Sequence, residues 1–182
     1  MKILLGVTGS VAAKLTPVMV RELILAGHEV QVVASEKSLY FWKETDLTPE
    51  VKVWRDKDEW VGELYEKNQE IPHIQLRNWA DVVLLAPLSA NTLAKIANGM
   101  ADNLLTSVMR AWDCTKPVVL APAMNTLMWN HPVTSSQIRT LNSWYPKFYM
   151  AEPVVKRLAC NESGIGAMAD ISSIVTLVST CQ

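Results

Sequence analysis

Four short apolar runs recur along the chain, at residues 2–7 (KILLGV), 29–34 (EVQVVA), 81–86 (DVVLLA) and 117–121 (PVVLA), and stretches of helical periodicity separate them. A strand that is apolar nearly throughout is buried on both faces, and strands alternating with helices build a parallel sheet covered on either side. The expected fold is therefore α/β: a doubly wound, mainly parallel sheet of flavodoxin or Rossmann type, with helices on both faces, as one domain over residues 1–182. A helix is expected from Val11 to Ala26, with Gly27 placed to end it and Pro17 kinking it from inside. Others are expected over 90–98, 102–112, 132–142 and 170–180. Residues 43–72 are charged and weakly periodic, with one short strand around Val51–Trp54 and a helical stretch after it.

Each run empties into small or hydroxyl-bearing residues. Thr8-Gly9-Ser10 follows the first, Ser35 the second, Pro87-Leu88-Ser89-Ala90-Asn91-Thr92 the third and Pro122-Ala123-Met124-Asn125 the fourth. In an open parallel sheet these loops share the carboxyl edge, where ligands bind at the switch in strand order. Gly9 lets backbone approach a ligand, Ser10 supplies a hydroxyl, and the helix beginning near Val11 offers free amides to a phosphate. GVTGSVA lacks the G-x-G-x-x-G order, no acidic residue ends the second run to take a ribose, and no Lys-Ser/Thr follows to make a Walker loop. With Ser35, Ser89 and Thr92 as further hydroxyls, the edge suits a mononucleotide monophosphate; loops that merely turn the chain are the alternative.

Composition narrows the partners. With 49% hydrophobic and 19% charged residues and a net charge of −1, the chain has no basic face for nucleic acid. No apolar run approaches the roughly 18 residues of a membrane helix, so a soluble protein is expected, and the odd count of cysteines fits reduced thiols in the cytoplasm. Met1-Lys2 followed by ILLGV imitates a secretory signal, yet its apolar core of about five residues falls short of the ~7–15 needed. Cys114, Cys160 and Cys181 show neither framework nor metal-ligand spacing, so no metal is expected.

Among the histidines, His28 follows a helix-ending glycine and reads as a surface residue, and His131 before Pro132 reads as a cap. His73 opens HIQLRNW just ahead of the third run, where structural and catalytic roles are both open. Cys160 lies in RLACNESGIG, a polar, glycine-bearing segment suited to a lid over a site.

The segments HIQLRNWAD, APLSANTLAKIANGMADNLLTSVMRAWD, PAMNTLMW and RLACNESGIGAMAD resemble the homo-oligomeric flavin-containing cysteine decarboxylases, most closely the branch acting on phosphopantothenoylcysteine. The likeness runs in one order from about Lys2 to the final helix. It implies FMN, held by Gly9, Ser10, Val11, Ser35, Phe41, Ser89, Ala90, Asn91, Thr92 and Ala123. It implies His73 as the catalytic histidine, Cys160 as the proton donor, Asn125 on the substrate carboxylate, and Arg157 and Ala159 as further substrate contacts. It also implies a homotrimer, or an assembly of trimers, with sites where subunits meet.

The activity implied is FMN-dependent decarboxylation of 4'-phosphopantothenoylcysteine to 4'-phosphopantetheine in coenzyme A biosynthesis, through thioaldehyde and ene-thiol intermediates. A carboxylate beta to a thiol has no electron sink, and oxidation of the C–S bond by the flavin supplies one. A neutral amide such as Asn125 holds a carboxylate without the charge pairing that would stabilise its ground state. Met124, Met128 and Trp129 can flank a ring or serve as plain core. The resemblance leaves two alternatives: a decarboxylase of the C-terminal cysteine of a ribosomally made peptide, and a flavin-binding regulatory subunit of a protein phosphatase.

Overall fold

The structure, a computed structural model, describes residues 1–60, 62, 64, 66–157 and 163–181. Its strands are β1 (Lys2–Val7), β2 (Glu29–Ala34), β3 (Val53–Arg55), β4 (Val82–Leu88), β5 (Val118–Pro122) and β6 (Phe148–Met150), followed by β7 (Val154–Arg157) and β8 (Ser163–Ala167). The first six form one sheet in the order β3-β2-β1-β4-β5-β6, every pair parallel. This is a doubly wound order, and the direction of winding switches between β1 and β4.

The sheet is buried on both sides because its apolar runs point side chains to both. Ile3, Leu5, Val7, Val32, Leu84 and Ala121 pack with Met19, Val20 and Leu23 of α1 (Thr16–Leu25). Ile174 and Val178 of α7 (Ile171–Thr180) close that layer. Leu4, Val33, Val83, Leu85, Val118 and Leu120 pack on the opposite side, against α2 (Pro72–Trp79), α3 (Ala90–Ala97), α4 (Leu104–Arg110) and α6 (Pro132–Trp144). The short α5 (Thr126–Asn130) precedes α6.

Three differences from the sequence reading matter for the site. The expected helix over Val11–Ala26 is two pieces, a 3-10 turn at Val11–Leu15 and then α1. Pro17 therefore lies in the first turn of α1, where its missing N–H costs no helical bond and no kink is needed. Next, Phe148–Met150 forms an edge strand that was not anticipated, since three residues after a proline carry too little periodicity to be recognised. Finally, the two ends of RLACNESGIG belong to an antiparallel pair, with Arg157 opposite Ser163 and Val154 opposite Ala167. The murky 43–72 stretch resolves into β3, 3-10 turns at Glu44–Asp46 and Asp56–Asp58, and the start of α2.

Candidate active site

The four loops on the carboxyl edge follow the sheet order β2, β1, β4, β5 and are bonded each to the next. Ser35 N–H donates to the Val7 carbonyl at 3.0 Å. Thr8, one residue on, crosses the switch: its N–H and its hydroxyl donate to the Pro87 carbonyl, at 3.2 and 2.7 Å, and its Oγ1 accepts from Ser89 N at 2.7 Å. Ala123 N–H in turn donates to the Leu88 carbonyl at 2.9 Å. A single row of hydrogen bonds thus fixes Ser35, the Gly9-Ser10 loop, Ser89 and Ala123 relative to one another.

Along that row the side chains are hydroxyls. Ser10 Oγ caps the 3-10 turn beginning at Val11, accepting from Ala12 N at 3.4 Å. Ser89 caps α3, accepting from Thr92 N and donating to Thr92 Oγ1, both at 3.2 Å. Ala90 and Asn91 form the first turn of α3, with its forward-facing amides. Gly9 passes so close to Lys37 that a Cβ there would stand 2.9 Å from the lysine Cβ. Phe41 ends the 3-10 turn that follows Ser35 and packs edge-on against Tyr40. Ser35 Oγ is buried and has no hydrogen-bond partner among the described residues. A buried hydroxyl without a partner costs free energy unless something outside the chain satisfies it. Uncharged donors, a helix start and an open hydroxyl fit a phosphate and the polar edge of a bound mononucleotide.

Asn125 stands at the next position along the edge. Its Oδ1 caps α5, accepting from Leu127 N at 2.8 Å. The loop is clamped by β8: Met124 N–H donates to the Gly166 carbonyl at 2.9 Å, and a Cβ on Gly166 would stand 2.3 Å from the Met124 carbonyl oxygen. Gly166 also has φ +133°, so glycine is needed there twice over. Met124 is buried in the core, whereas Met128 is 47% exposed. Trp129 packs partly against the core.

His73 occupies the first turn of α2. A chain that leaves β3 at the carboxyl edge and enters the parallel β4 at the amino edge must run α2 back across the sheet, so its first turn lies on the carboxyl side. There His73 Nδ1 meets Glu59 Oε1 in a short hydrogen bond, and Glu59 is buried at 7% exposure. Within the described residues no hydrogen bond links His73 to the hydroxyl row. Arg157 ends β7, while Ala159 and Cys160 lie outside the described residues.

The other candidates are structural. His131 Nδ1 accepts from Val133 N at 3.2 Å as a cap, and half-buried His28 bonds Ser179 of α7 at 2.9 Å. No group of metal-ligating side chains occurs among the described residues, nor is any described helix long and apolar enough to cross a membrane. Thr8, legible in the sequence only as one hydroxyl of the loop after β1, takes its bridging role from the fold. Glu59 escaped sequence reasoning, because it lies in a charged stretch that singles out none of its carboxylates.

The Flavoprotein family profile matches residues 1–181. A phosphopantothenoylcysteine decarboxylase of Mus musculus is 46% identical over 180 residues, spanning 97% of this chain and 85% of the mouse protein. Among solved structures, a cysteine-to-serine mutant of PPC decarboxylase complexed with pantothenoylaminoethenethiol matches with a TM-score of 0.91 and 44% identity, over 98% of this chain and 96% of that one. The FMN-binding protein AtHal3 matches with a TM-score of 0.87 and 44% identity, over 98% and 94% of the two chains.

Proposed function

Because the chain belongs to the Flavoprotein family, we propose that it is an FMN-dependent carboxy-lyase that converts 4'-phosphopantothenoylcysteine to 4'-phosphopantetheine in coenzyme A biosynthesis, acting as one flavoprotein domain over residues 1–182. The observation that carries the reading is the row of four bonded loops holding a buried Ser35 hydroxyl, without a partner among the described residues, beside two capped helical starts. Similarity to an FMN-binding protein and to a decarboxylase complexed with an aminoethenethiol supports the cofactor and the substrate class.

The chain's own residues divide the work. Ser10, Ser35, Ser89 and Thr92, with the amides of Val11, Ala90 and Asn91, hold the phosphate and polar rim of FMN. Gly9, Phe41 and Ala123 give it room and an apolar flank. Asn125 donates its amide to the reacting carboxylate, and Arg157 and Ala159 contact the rest of the substrate. His73 takes a proton from the substrate and Cys160 returns one in the last step. When bound, FMN supplies the two-electron oxidation of the C–S carbon that makes loss of carbon dioxide possible, and its return. The aminoethenethiol held by a cysteine-to-serine mutant of a 44% identical decarboxylase is the species expected to persist when the final proton donor is removed, which supports Cys160 in that role.

The working unit is a homotrimer, or an assembly of trimers, with sites between subunits. Tyr40, Trp60 and Leu127, at 87, 81 and 76% exposure, are apolar surface that such contacts would cover. The location is cytoplasmic, in keeping with the free thiols of Cys114 and Cys181.

The decisive experiment is product analysis by mass spectrometry after incubating the flavin-loaded protein with phosphopantothenoylcysteine and, separately, with a peptide ending in cysteine. Loss of carbon dioxide from the small molecule, giving 4'-phosphopantetheine, is expected. Turnover of the peptide alone would overturn the assignment.

A further inference from the structure

Glu59 is a carboxylate taken almost wholly out of water, its side chain 4% exposed. Such a group needs a cation or hydrogen-bond donors around it. One of its oxygens meets His73 Nδ1, and the other, Oε2, has no partner among the described residues. The backbone that presents it is held at several points. Glu59 N–H donates to the Asp56 carbonyl at 3.3 Å, Asp58 Oδ2 accepts from Arg55 N at 2.7 Å, and Asp56 Oδ1 accepts from Leu104 N at 3.2 Å. Arg55 itself is paired with Ala34 in the sheet. The carboxylate is thus delivered to the imidazole by a segment tied to both β2 and α4, which an adventitious surface pair would not need.

His73, by contrast, keeps a side chain 24% exposed, so one part of its ring stays open. An ionised carboxylate only accepts hydrogen bonds, so the ring nitrogen that faces it carries the hydrogen: Nδ1–H donates to Glu59, and Nε2 bears the lone pair. We propose that Glu59 is a positioning residue for His73, fixing its ring plane and its Nδ1–H tautomer so that Nε2 is the atom that takes the substrate's proton. The inference rests on the assignment of His73 to the reaction given above. When Nε2 accepts a proton, such as that of the substrate thiol, the ring becomes an imidazolium still donating to Glu59, whose charge balances it. The ring returns to its starting form when that proton passes to product or solvent.

The test uses the flavin-loaded protein and Glu59→Gln, with three readouts: ring-nitrogen NMR of His73, the kinetic constants, and bound flavin. In the wild type the neutral ring is expected to carry its hydrogen on Nδ1. In Glu59→Gln the carboxamide can present either its oxygen or its NH₂ group, so both tautomers should be populated. The variant should bind FMN as before and lose about 10- to 100-fold in kcat, part of the ~10²–10⁴ that positioned acid–base catalysis contributes. KM should change by no more than about 2-fold, as expected when positioning rather than binding is lost. A merely structural ion pair would move stability without moving the tautomer.

A wild-type ring with its hydrogen on Nε2 overturns the proposal even if Glu59→Gln fails to fold. So does a folded Glu59→Gln with kcat within about 2-fold of wild type. The two layers of argument fail separately. A wild-type protein that decarboxylates neither test substrate refutes the reaction assigned above, while the tautomer still reports on the pair. An active His73→Asn removes the base, and the role of Glu59 with it.

Discussion

Ser89 donates its backbone N–H to the hydroxyl of Thr8 at 2.7 Å, across the point where the sheet reverses its winding. The same hydroxyl donates to the Pro87 carbonyl at 2.7 Å, so one buried side chain joins the loops after β1 and β4. Thr8→Val keeps the shape and removes both bonds, leaving a buried N–H without its acceptor. It should destabilise the protein by about 1–3 kcal/mol and weaken FMN binding, whereas Thr8→Ser should restore most of both. Denaturant midpoints and flavin titration check this; a Thr8→Val protein with wild-type values would show that the crossing bond is dispensable.

Ser35 makes the opposite prediction for the free protein. Its Oγ has no partner among the described residues, so Ser35→Ala gives up no hydrogen bond within the described structure and relieves a buried polar atom. Stability without flavin should hold or rise slightly, while FMN affinity falls about 10- to 100-fold, the loss of a hydrogen bond to a charged group worth ~1.5–3 kcal/mol. Thermal melts of the flavin-free protein and titration with FMN separate the two effects. Loss of stability without loss of affinity would assign the hydroxyl to the scaffold.

Gly166 holds the β7–β8 pair against the Asn125 loop. Because its φ is +133° and an added Cβ would stand 2.3 Å from the Met124 carbonyl oxygen, Gly166→Ala must move backbone on one side or the other. A backbone forced out of such a conformation costs about 1–3 kcal/mol, and Asn125 moves with it. A lower melting temperature together with reduced turnover is expected; unchanged turnover would mean that the clamp does not position Asn125.

The two assigned proton-handling residues should fail at different stages. His73→Asn is expected to bind FMN normally and to lose most of its carbon dioxide release. Cys160→Ser is expected to release carbon dioxide and accumulate the ene-thiol. Each loss should fall within the ~10²–10⁴ range of acid–base catalysis. Carbon dioxide release and mass spectrometry of the bound species distinguish them, and normal product from Cys160→Ser would reassign the donor.

Burial pushes the Cys181 thiol up from near 9.0 to about 11. The folded chain therefore keeps this proton at pH values where the unfolded chain has released it, so unfolding gains from deprotonation in that window. Stability due to the neutral thiol is complete below about pH 9 and is lost as the pH rises towards 11. Between those limits the wild type should lose more stability than Cys181→Ala. Parallel losses measured by denaturation at pH 8.5 and 10.5 would show that the thiol titrates alike in both states.

Periodicity made much of this architecture legible. Apolar runs at 2–7, 29–34, 81–86 and 117–121 became β1, β2, β4 and β5 to within two residues at either end. Their loops lie where parallel strands must leave them, so Gly9, Ser35, Ser89 and Ala123 belong to one edge on the strand pattern alone. The α1 boundary was harder to read, because Pro17 is equally at home breaking a helix or opening one. The short strand expected around Val51–Trp54 became β3 at Val53–Arg55, whereas β6 and the β7–β8 pair are short and take their conformation from partners far along the chain, so no local pattern announces them.

By itself the sequence determined the layered fold and the chemical character of its carboxyl edge, because side-chain alternation and loop composition are local properties. Tertiary structure alone decided that Thr8 spans the switch, that Ser35 lacks a partner among the described residues, and that Glu59 rather than a neighbouring acid reaches His73. Each of those facts depends on which groups a long-range fold brings within hydrogen-bond distance and which it shuts away from water, and neither is set by the order of nearby residues.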